Sequence, residues 1–285
     1  MLKKYIKLLR VHHYVKNILV FAALGCSGNL FVREKLKSSL IGFAVFCLFS
    51  SSVYIINDIN DAGRDRLHPE KCKRPVASGE VSAGHAALIA LLLIVSAVSV
   101  SILCADVKFL VLPALYLAIN VSYSMGLKNI PIVDIALLVS GFIIRVLYGA
   151  KITDTEISHW LYLSVMAMAF YLALGKRRNE LRMSSNTRKV LTLYPESFLD
   201  KNMYVCLALA NVFYALWSVD EKTAAHYNNA YMVATVPIVL LISMRYSLDV
   251  ERNSSGDPAE VLFSDKPLIV LCIIYLAGML SILYM

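Results

Sequence analysis

The sequence has few charged residues and no pattern of paired cysteines. Asp, Glu, Lys and Arg make up only 17% of the 285 residues, while 58% are hydrophobic. Soluble domains are closer to a quarter charged and half apolar. The six cysteines are scattered and form no C-x-x-C pair, which argues against a disulfide framework or a zinc site. These absences disfavour both an ordinary soluble domain and a disulfide-rich secreted one.

The apolar residues occur in long blocks. Blocks of about 20 such residues are typical of membrane-spanning helices. We therefore predict an all-α integral membrane protein with nine spans. Their approximate limits are 15–32, 38–57, 84–105, 107–125, 131–150, 157–175, 198–219, 229–247 and 267–284. The first span is the weakest, because it is short and contains Asn17 and Asn29.

The basic residues are concentrated on one side of this predicted topology. The side that holds the N-terminus carries most of them, in segments 3–16, 64–74, 176–201 and 245–266. The opposite side has only Arg33, Lys35, Lys37, Lys108, Lys151 and Lys222. Since cytoplasmic loops carry the Lys and Arg excess, we expect the N-terminus and the long loops to be cytoplasmic, in the inner membrane. Basic residues divided among short loops argue against nucleic-acid binding.

We predict a single domain over residues 1–285. Within it, residues 1–13 alternate apolar and basic positions, which favours a helix lying on an anionic membrane surface; a basic anchor before the first span would give the same pattern. The loops expected to carry the chemistry are about 58–83, 123–134 and 171–197.

An acidic motif ends the second predicted span. It contains Asn57, Asp58, Asp61 and Asp65. If the helix continues, the three aspartates share one face, where they repel one another unless a cation lies between them. Mg²⁺ is commonly held by one or two carboxylates together with substrate phosphates. We therefore predict these four residues as metal ligands, with a solvated helix end as the alternative.

Basic residues follow the acidic motif within the same loop. Arg64, Lys71 and Arg74 lie among or just after the aspartates. Arginine binds phosphate through two hydrogen bonds and lysine binds it as a point charge. This mixture of acids and bases favours a site for Mg²⁺ and a polyanion, although positive charge on cytoplasmic loops alone would also explain single basic residues.

The motif N-D-x-x-D-x-x-x-D followed by H-P-x-K-x-x-R-P resembles the first motif of the UbiA-type intramembrane prenyltransferases. That resemblance implies nine transmembrane helices around a central cavity open to the cytoplasmic side, with a diphosphate bound through Mg²⁺. It also allows a small homo-oligomer. A typical member has a second Asp-rich motif after the sixth span, but residues 171–181 of this chain contain no Asp and instead include Lys176, Arg177 and Arg178.

This departure makes the chain similar to one branch of that family, the decaprenyl-phosphate phosphoribosyltransferases. The similarity is carried by segments 13–17, 57–65, 123–134, 174–181 and 188–191. It implies that phosphoribosyl diphosphate is the electrophile and a polyprenyl phosphate the nucleophile, with release of diphosphate and a product used in cell-envelope biogenesis. The implied catalytic residues are Asp58, Asp61 and Asp65. The implied substrate-binding residues are Lys16, Asn17, Arg64, Lys71, Arg74, Tyr123, Lys128, Asp134, Lys176, Arg177, Arg178 and Glu180.

Two other functions remain open from the sequence. A prenyltransferase that moves a prenyl group from its diphosphate to an aromatic acceptor would share the first motif, but the missing second motif argues against it. A transporter would be expected to place its charges near the bilayer midplane, whereas these charges gather at one surface. Asp134 and Arg145 are charged residues inside the fifth predicted span; we expect Asp134 to be functional and Arg145 to be structural.

Overall fold

The computed structural model describes residues 2–104, 107–183, 189–220, 230–252 and 258–284. Regular structure in these ranges is entirely helical, which confirms the all-α prediction. The α-helices are α1 (Leu2–Leu9), α2 (Ala22–Gly25), α3 (Arg33–Asp65), α4 (Ala83–Cys104), α5 (Val111–Met125), α6 (Val133–Ile152), α7 (His159–Met183), α8 (Glu196–Val219), α9 (Val236–Glu251), α10 (Pro258–Ser264) and α11 (Lys266–Tyr284). Short 3-10 helices cover Val11–Phe21, Lys71–Lys73, Val107–Leu110, Leu127–Asn129, Lys189–Leu193 and Ala230–Thr235.

Six helical segments of the described residues are long and apolar enough to cross a membrane. They are α3, α4, α6, α8, Tyr231–Glu251 and α11, and they support an integral membrane protein. The other three predicted spans correspond to helical segments outside these six. The first coincides with the 3-10 helix Val11–Phe21 and α2, the fourth with the 15 residues of α5, and the sixth with the 25 residues of α7.

The described residues form two compact units. The first unit comprises Met1–Gly25 and Asn29–Thr155, and the second comprises Cys26–Gly28 and Glu156–Met285. The single domain expected from the sequence is not tested by this division. Residues 184–188, within the predicted loop 171–197, lie outside the described residues.

In the first unit, α3 is the central helix. Three consecutive residues of α3, Ser50–Ser52, are buried serines, and two of them form hydrogen bonds with the N-terminal segment. Ser51 donates to the carbonyl of Leu9 at 2.8 Å, and Asn17 donates to Ser50 at 3.1 Å. On another side, α4 buries only a stripe of small residues, which permits close helix packing. That stripe is Ala86, Ala90, Ala97 and Ser101.

The 3-10 helix approaches α6 very closely at a glycine. A Cβ atom on Gly149 would lie 1.8 Å from the carbonyl oxygen of Val20, far inside any normal contact. Val20 is fully buried, and Phe46 of α3 packs nearby against the rings of Tyr116 and Tyr148 at 5.0 and 5.6 Å. The absent side chain of Gly149 is therefore what allows the N-terminal segment to pack into the core of the first unit.

In the second unit, α7 and α8 pack along each other, and α9 and α11 complete the core. An aromatic cluster forms around Tyr214, whose ring lies 5.5 Å from that of Trp217 and 6.1 Å from that of Tyr275. The hydroxyl groups of Tyr214 and Thr235 are hydrogen-bonded at 2.7 Å. These two buried hydroxyl groups are thus paired within the helical core, as the interior of a membrane-embedded bundle requires.

Candidate active site

The acidic motif lies on the last turns of α3, which runs without a break to Asp65. Continuity of the helix places the aspartates on one face, as their spacing predicted. Asp58 is 1% exposed and Asp65 is 5% exposed, while the side chain of Asp61 is 22% exposed. Asn57 differs from them, because its amide oxygen accepts a hydrogen bond from the hydroxyl of Ser124 on α5.

Asp58 is contacted by two guanidinium groups on one of its oxygens. Nη2 of Arg10 lies 2.5 Å and Nη1 of Arg74 lies 3.2 Å from Oδ1 of Asp58. The other oxygen, Oδ2, is buried and accepts no hydrogen bond. The same Nη1 of Arg74 also contacts Oδ2 of Asp65 at 2.6 Å, so Arg74 bridges two aspartates.

Asp61 is neutralised by a different pair of cations. Nζ of Lys128 lies 2.7 and 3.1 Å from its two oxygens, and Nη2 of Arg64 lies 2.6 Å from Oδ1. Lys128 is only 5% exposed and sits on the 3-10 turn between α5 and α6. Gly126, with φ at 148°, lets the chain turn there. The structure therefore brings the first and second predicted loops together.

The residues present suit one oxygen-ligated cation better than a ring of three carboxylates. In the part of the chain that the structure describes, no three His, Cys, Asp or Glu side chains are grouped to hold a metal. Asp58 and Asp65, however, share one guanidinium nitrogen, and Asp58 keeps a bare buried oxygen. An orphaned, desolvated carboxylate oxygen is costly. The geometry thus fits Mg²⁺ on Asp58 and Asp65, with Asp61 directed to Lys128.

Asn17 and Arg145 form a buried pair in the core of the first unit. Asn17 is fully buried, and its Oδ1 accepts a hydrogen bond from Nε of Arg145 at 2.8 Å. Arg145 also donates to the carbonyl of Gly141 at 2.5 Å and to the hydroxyl of Tyr116 at 3.2 Å. Its guanidinium lies 4.9 Å from the ring centroids of Phe46 and Tyr116. These contacts agree with a structural Arg145, and they give Asn17 a structural role too.

The remaining predicted residues of the first unit occupy varied positions. Asp134 is fully buried in the first turn of α6, where the helix dipole favours a carboxylate. Lys16, Lys71 and Tyr123 are half-buried. In the loop after α3, Nδ1 of His68 accepts the backbone N–H groups of residues 70 and 71 at 3.2 and 3.4 Å. Burial, followed by the charge of Lys71, lowers the pKa of His68.

The basic segment of α7 lies in the second unit. Arg177 is fully buried and pairs with Glu180 at 2.6 Å. Arg178 is 2% exposed and is paired with Asp200 of α8 at 2.6 Å and with Glu251 of α9. Arg178 therefore ties three helices of this unit together. Its predicted role toward a substrate, and those of Lys176, Arg177 and Glu180, stay predictions.

Sequence reasoning missed Arg10 as a member of the acidic site. It was read only as part of a basic, amphipathic N-terminal segment, and its contact with Asp58 spans 48 positions of the chain. The signal that could have revealed it is weak. A charged residue that follows an apolar helical face must either reach solvent or find a partner, and Arg10 directly follows the apolar pair Leu8-Leu9.

Comparison with known proteins gives a consistent set of matches. The model of the UbiA prenyltransferase family matches residues 18–264. A decaprenyl-phosphate phosphoribosyltransferase of Corynebacterium glutamicum is 34% identical, covering 98% of this chain and 86% of that protein. The protein of the same name from Mycolicibacterium smegmatis is 31% identical, with 98% and 92% covered. A solved UbiA homologue from Archaeoglobus fulgidus, bound to GPP and Mg²⁺, superposes with a TM-score of 0.74 at 17% identity over 98% of this chain and 99% of that one.

Proposed function

The chain belongs to the UbiA prenyltransferase family, and we propose that it transfers a 5-phosphoribosyl group from phosphoribosyl diphosphate to a polyprenyl phosphate in a Mg²⁺-dependent reaction. Phosphoribosyl transfer to decaprenyl phosphate is the activity for which the relatives from Corynebacterium and Mycolicibacterium are named, and the likeness to them extends over nearly the whole chain. The protein is accordingly a membrane transferase of this kind. The metal requirement and the residue roles are the parts that need testing.

The observation that carries the metal site is the bare Oδ2 of Asp58, buried beside two guanidinium groups. A bound Mg²⁺ would supply positive charge that stabilises the departing diphosphate. Asp58 and Asp65 would hold it through their carboxylate oxygens. The UbiA homologue from Archaeoglobus fulgidus was solved with Mg²⁺, which is consistent with divalent cation use in this fold.

The chain's own cations would bind and orient the donor. With a metal held by Asp58 and Asp65, the planar guanidinium of Arg74 would be free to donate two parallel hydrogen bonds to a phosphate group of the donor. Lys128 stays on Asp61 and keeps the turn between α5 and α6 beside the motif. An oxygen of the polyprenyl phosphate would attack the anomeric carbon while the bond to diphosphate breaks, so the configuration inverts. No strong general base is needed, because the phosphate is already ionised.

The choice of donor is supported by the composition of α7. A second Asp-rich motif would hold a second metal on a prenyl diphosphate, whereas residues 174–181 contain Lys176, Arg177 and Arg178. Of these, Arg178 pairs with Asp200 and Glu251, and the fully buried Arg177 pairs with Glu180 at 2.6 Å. We therefore assign phosphate binding to Lys176, the most exposed of the three, ahead of the two arginines.

The proposal includes a topology. A cytoplasmic position of the long loops, in the inner membrane, is supported by their Lys and Arg excess. Nine crossings and a central cavity that opens to the cytoplasm are what the resemblance to the family implies. The described residues include six long apolar helices. Labelling of single cysteines placed at residue 70 and at residue 154 with a membrane-impermeant thiol reagent would test the orientation, because only one of them should react in intact right-side-out vesicles.

One assay tests the reaction. Purified protein is incubated with Mg²⁺, labelled phosphoribosyl diphosphate and a polyprenyl phosphate, and the lipid fraction is analysed for a lipid-linked pentose phosphate. We expect this product together with diphosphate, and none after chelation of the metal. Formation of a prenylated product from a prenyl diphosphate and an aromatic acid, without any lipid-linked pentose, would replace the proposal with aromatic prenyl transfer.

Asp58→Asn tests the metal ligand. The amide keeps the shape of the side chain but removes the charge that would hold Mg²⁺, so we expect activity to fall on the order of 100-fold or more. Folding should survive, because Arg74 retains Asp65 at 2.6 Å. Glu70→Gln is the matched control, since Glu70 is an exposed acid of the same loop that forms a local ion pair with Lys73 at 2.9 Å. Normal turnover by Asp58→Asn would refute the metal assignment.

A further inference from the structure

Arg10 occupies an unusual position at the junction of α1 and the 3-10 helix Val11–Phe21. Its backbone is left-handed, with φ at 51° and ψ at 48°, a conformation that non-glycine residues rarely adopt. Such conformations persist only where the surroundings hold them. The guanidinium lies 2.5 Å from Asp58 and 4.9 Å from the ring of Tyr54. The outlier therefore coincides with a side chain aimed at the acidic motif.

The backbone on the N-terminal side of Arg10 is anchored to the rest of the first unit. Leu8 is fully buried in a cluster with Ile55 and Val76, and the carbonyl of Leu9 accepts the hydroxyl of Ser51 at 2.8 Å. The side chain of Arg10, by contrast, is 16% exposed. The backbone before Arg10 is therefore held in place, while part of its side chain reaches the surface.

The two arginines that contact Asp58 differ in whether they have a second acidic partner. In the ion-free protein Arg74 has a second acidic partner, Asp65, at 2.6 Å. For Arg10, Asp58 is the sole acidic partner among the described residues. A divalent cation ligated by Asp58 places positive charge beside Arg10 and repels it. A diphosphate bound to that cation attracts it, because an ionised phosphate accepts strong hydrogen bonds from arginine.

We propose that Arg10 is a further substrate-binding residue of the acidic site, one that neutralises Asp58 in the ion-free protein and donates to the diphosphate once a divalent cation occupies Asp58. This rests on the proposed function only in its metal–diphosphate site, not in the identity of the group transferred. The exchange makes Arg10 a competitor of the free metal ion and a partner of the metal-bound anion. These two effects have opposite signs, which a merely structural residue would not show.

The test compares Arg10→Gln with Lys7→Gln in purified protein. Lys7 is an exposed lysine in the last turn of α1, so its change removes equal charge without touching Asp58. Titration calorimetry measures Mg²⁺ alone, and then inorganic diphosphate at saturating Mg²⁺. We expect Arg10→Gln to bind Mg²⁺ several-fold more tightly and diphosphate at least about 5-fold more weakly, in keeping with loss of a charged hydrogen bond. Lys7→Gln should match the wild type in both titrations.

Every other result overturns the proposal. If Arg10→Gln weakens the binding of Mg²⁺ and of diphosphate equally, Arg10 is a structural residue. If neither affinity changes, Arg10 has no role in binding. If neither wild type nor variant binds Mg²⁺, Arg10 does not compete with the metal ion for Asp58. Arg10→Gly guards against misfolding, because glycine accepts the left-handed backbone and should reproduce the Arg10→Gln pattern. If the protein transfers prenyl groups and Arg10→Gln still shows the two opposed changes in affinity, the proposed function is wrong and the role of Arg10 stands. If it transfers phosphoribosyl groups without those changes, the proposed function stands and the role of Arg10 is wrong.

Discussion

Gly149→Ala should be among the most damaging small substitutions in the first unit. The added Cβ would lie 1.8 Å from the carbonyl oxygen of Val20 and 2.7 Å from its carbonyl carbon. Backbone atoms cannot rotate away as a flexible side chain can, so the 3-10 helix Val11–Phe21 must withdraw from α6 by more than 1 Å, as about 3 Å is the shortest contact that a Cβ atom normally makes.

The cost has two parts. Overpacking a tight core costs about 1–3 kcal/mol. Withdrawal also stretches the hydrogen bond from Arg145 to Asn17, now 2.8 Å long, between the same two elements. A hydrogen bond to a charged group contributes about 1.5–3 kcal/mol. Because Arg145 is 5% exposed, water cannot readily replace the lost partner. A loss of roughly 3 kcal/mol or more in the free energy of unfolding is expected.

Thermal unfolding in detergent, followed by intrinsic fluorescence, measures this loss. Gly84→Ala provides the matched control, since a Cβ on Gly84 at the start of α4 meets nothing within 4 Å. Alanine in place of a helical glycine should stabilise by up to about 1 kcal/mol, so the two variants should shift the melting temperature in opposite directions. A Gly149→Ala protein that melts with the wild type would refute the close packing of the N-terminal segment on α6.

Two further predictions concern the second unit. A hydrogen bond from Arg245, and then a backbone N–H at the start of α11, hold the pKa of Asp265 below its usual value. The stabilisation by Asp265 is therefore present at neutral pH and is lost only as the pH falls below about 4. The difference in melting temperature between wild type and Asp265→Asn should therefore stay constant from pH 7 to about pH 5 and shrink below about pH 4; a difference that does not change below about pH 4 would contradict it. Arg178→Met removes the buried cation that joins Asp200 and Glu251, while Glu251 keeps Tyr204 at 2.6 Å and Arg182 at 3.6 Å. We expect it to cost about 1–3 kcal/mol, because loss of a charged hydrogen bond costs about that much. Arg182→Gln, at a side chain that is 37% exposed, should cost under about 1 kcal/mol; melting curves of both variants test the ranking.

Much of the fold could be predicted because membrane helices are specified locally. A run of apolar residues in a bilayer must satisfy its own backbone, and a helix does so. The limits of α4, α6, α8 and α11 accordingly lie close to the predicted spans. The acidic motif was also predictable, because a continuous helix fixes which residues share a face, and α3 does continue to Asp65.

The parts that could not be predicted depend on contacts distant in the chain. The segment 15–32 was expected to be a span, but Val11–Phe21 is a 3-10 helix, whose geometry depends on packing against α3 and α6. Asn17 was expected to bind substrate, yet it is fully buried against Arg145, 128 positions away. Hydropathy and spacing report which face of a helix is polar, not which residue of another helix meets it.

The cations around the acidic motif bear on how a metal enters the site. At least four of them reach the three aspartates within the first unit: Arg10, Arg64, Arg74 and Lys128. The ion-free cluster is therefore neutral or slightly positive, and a lone divalent ion must compete with cations that already neutralise the carboxylates. A metal that carries an anionic donor brings compensating negative charge, and that charge engages the displaced guanidinium groups. The electrostatics thus favour entry of metal and donor as one complex. The positive charge of the cluster also weakens the binding of a metal ion without its donor.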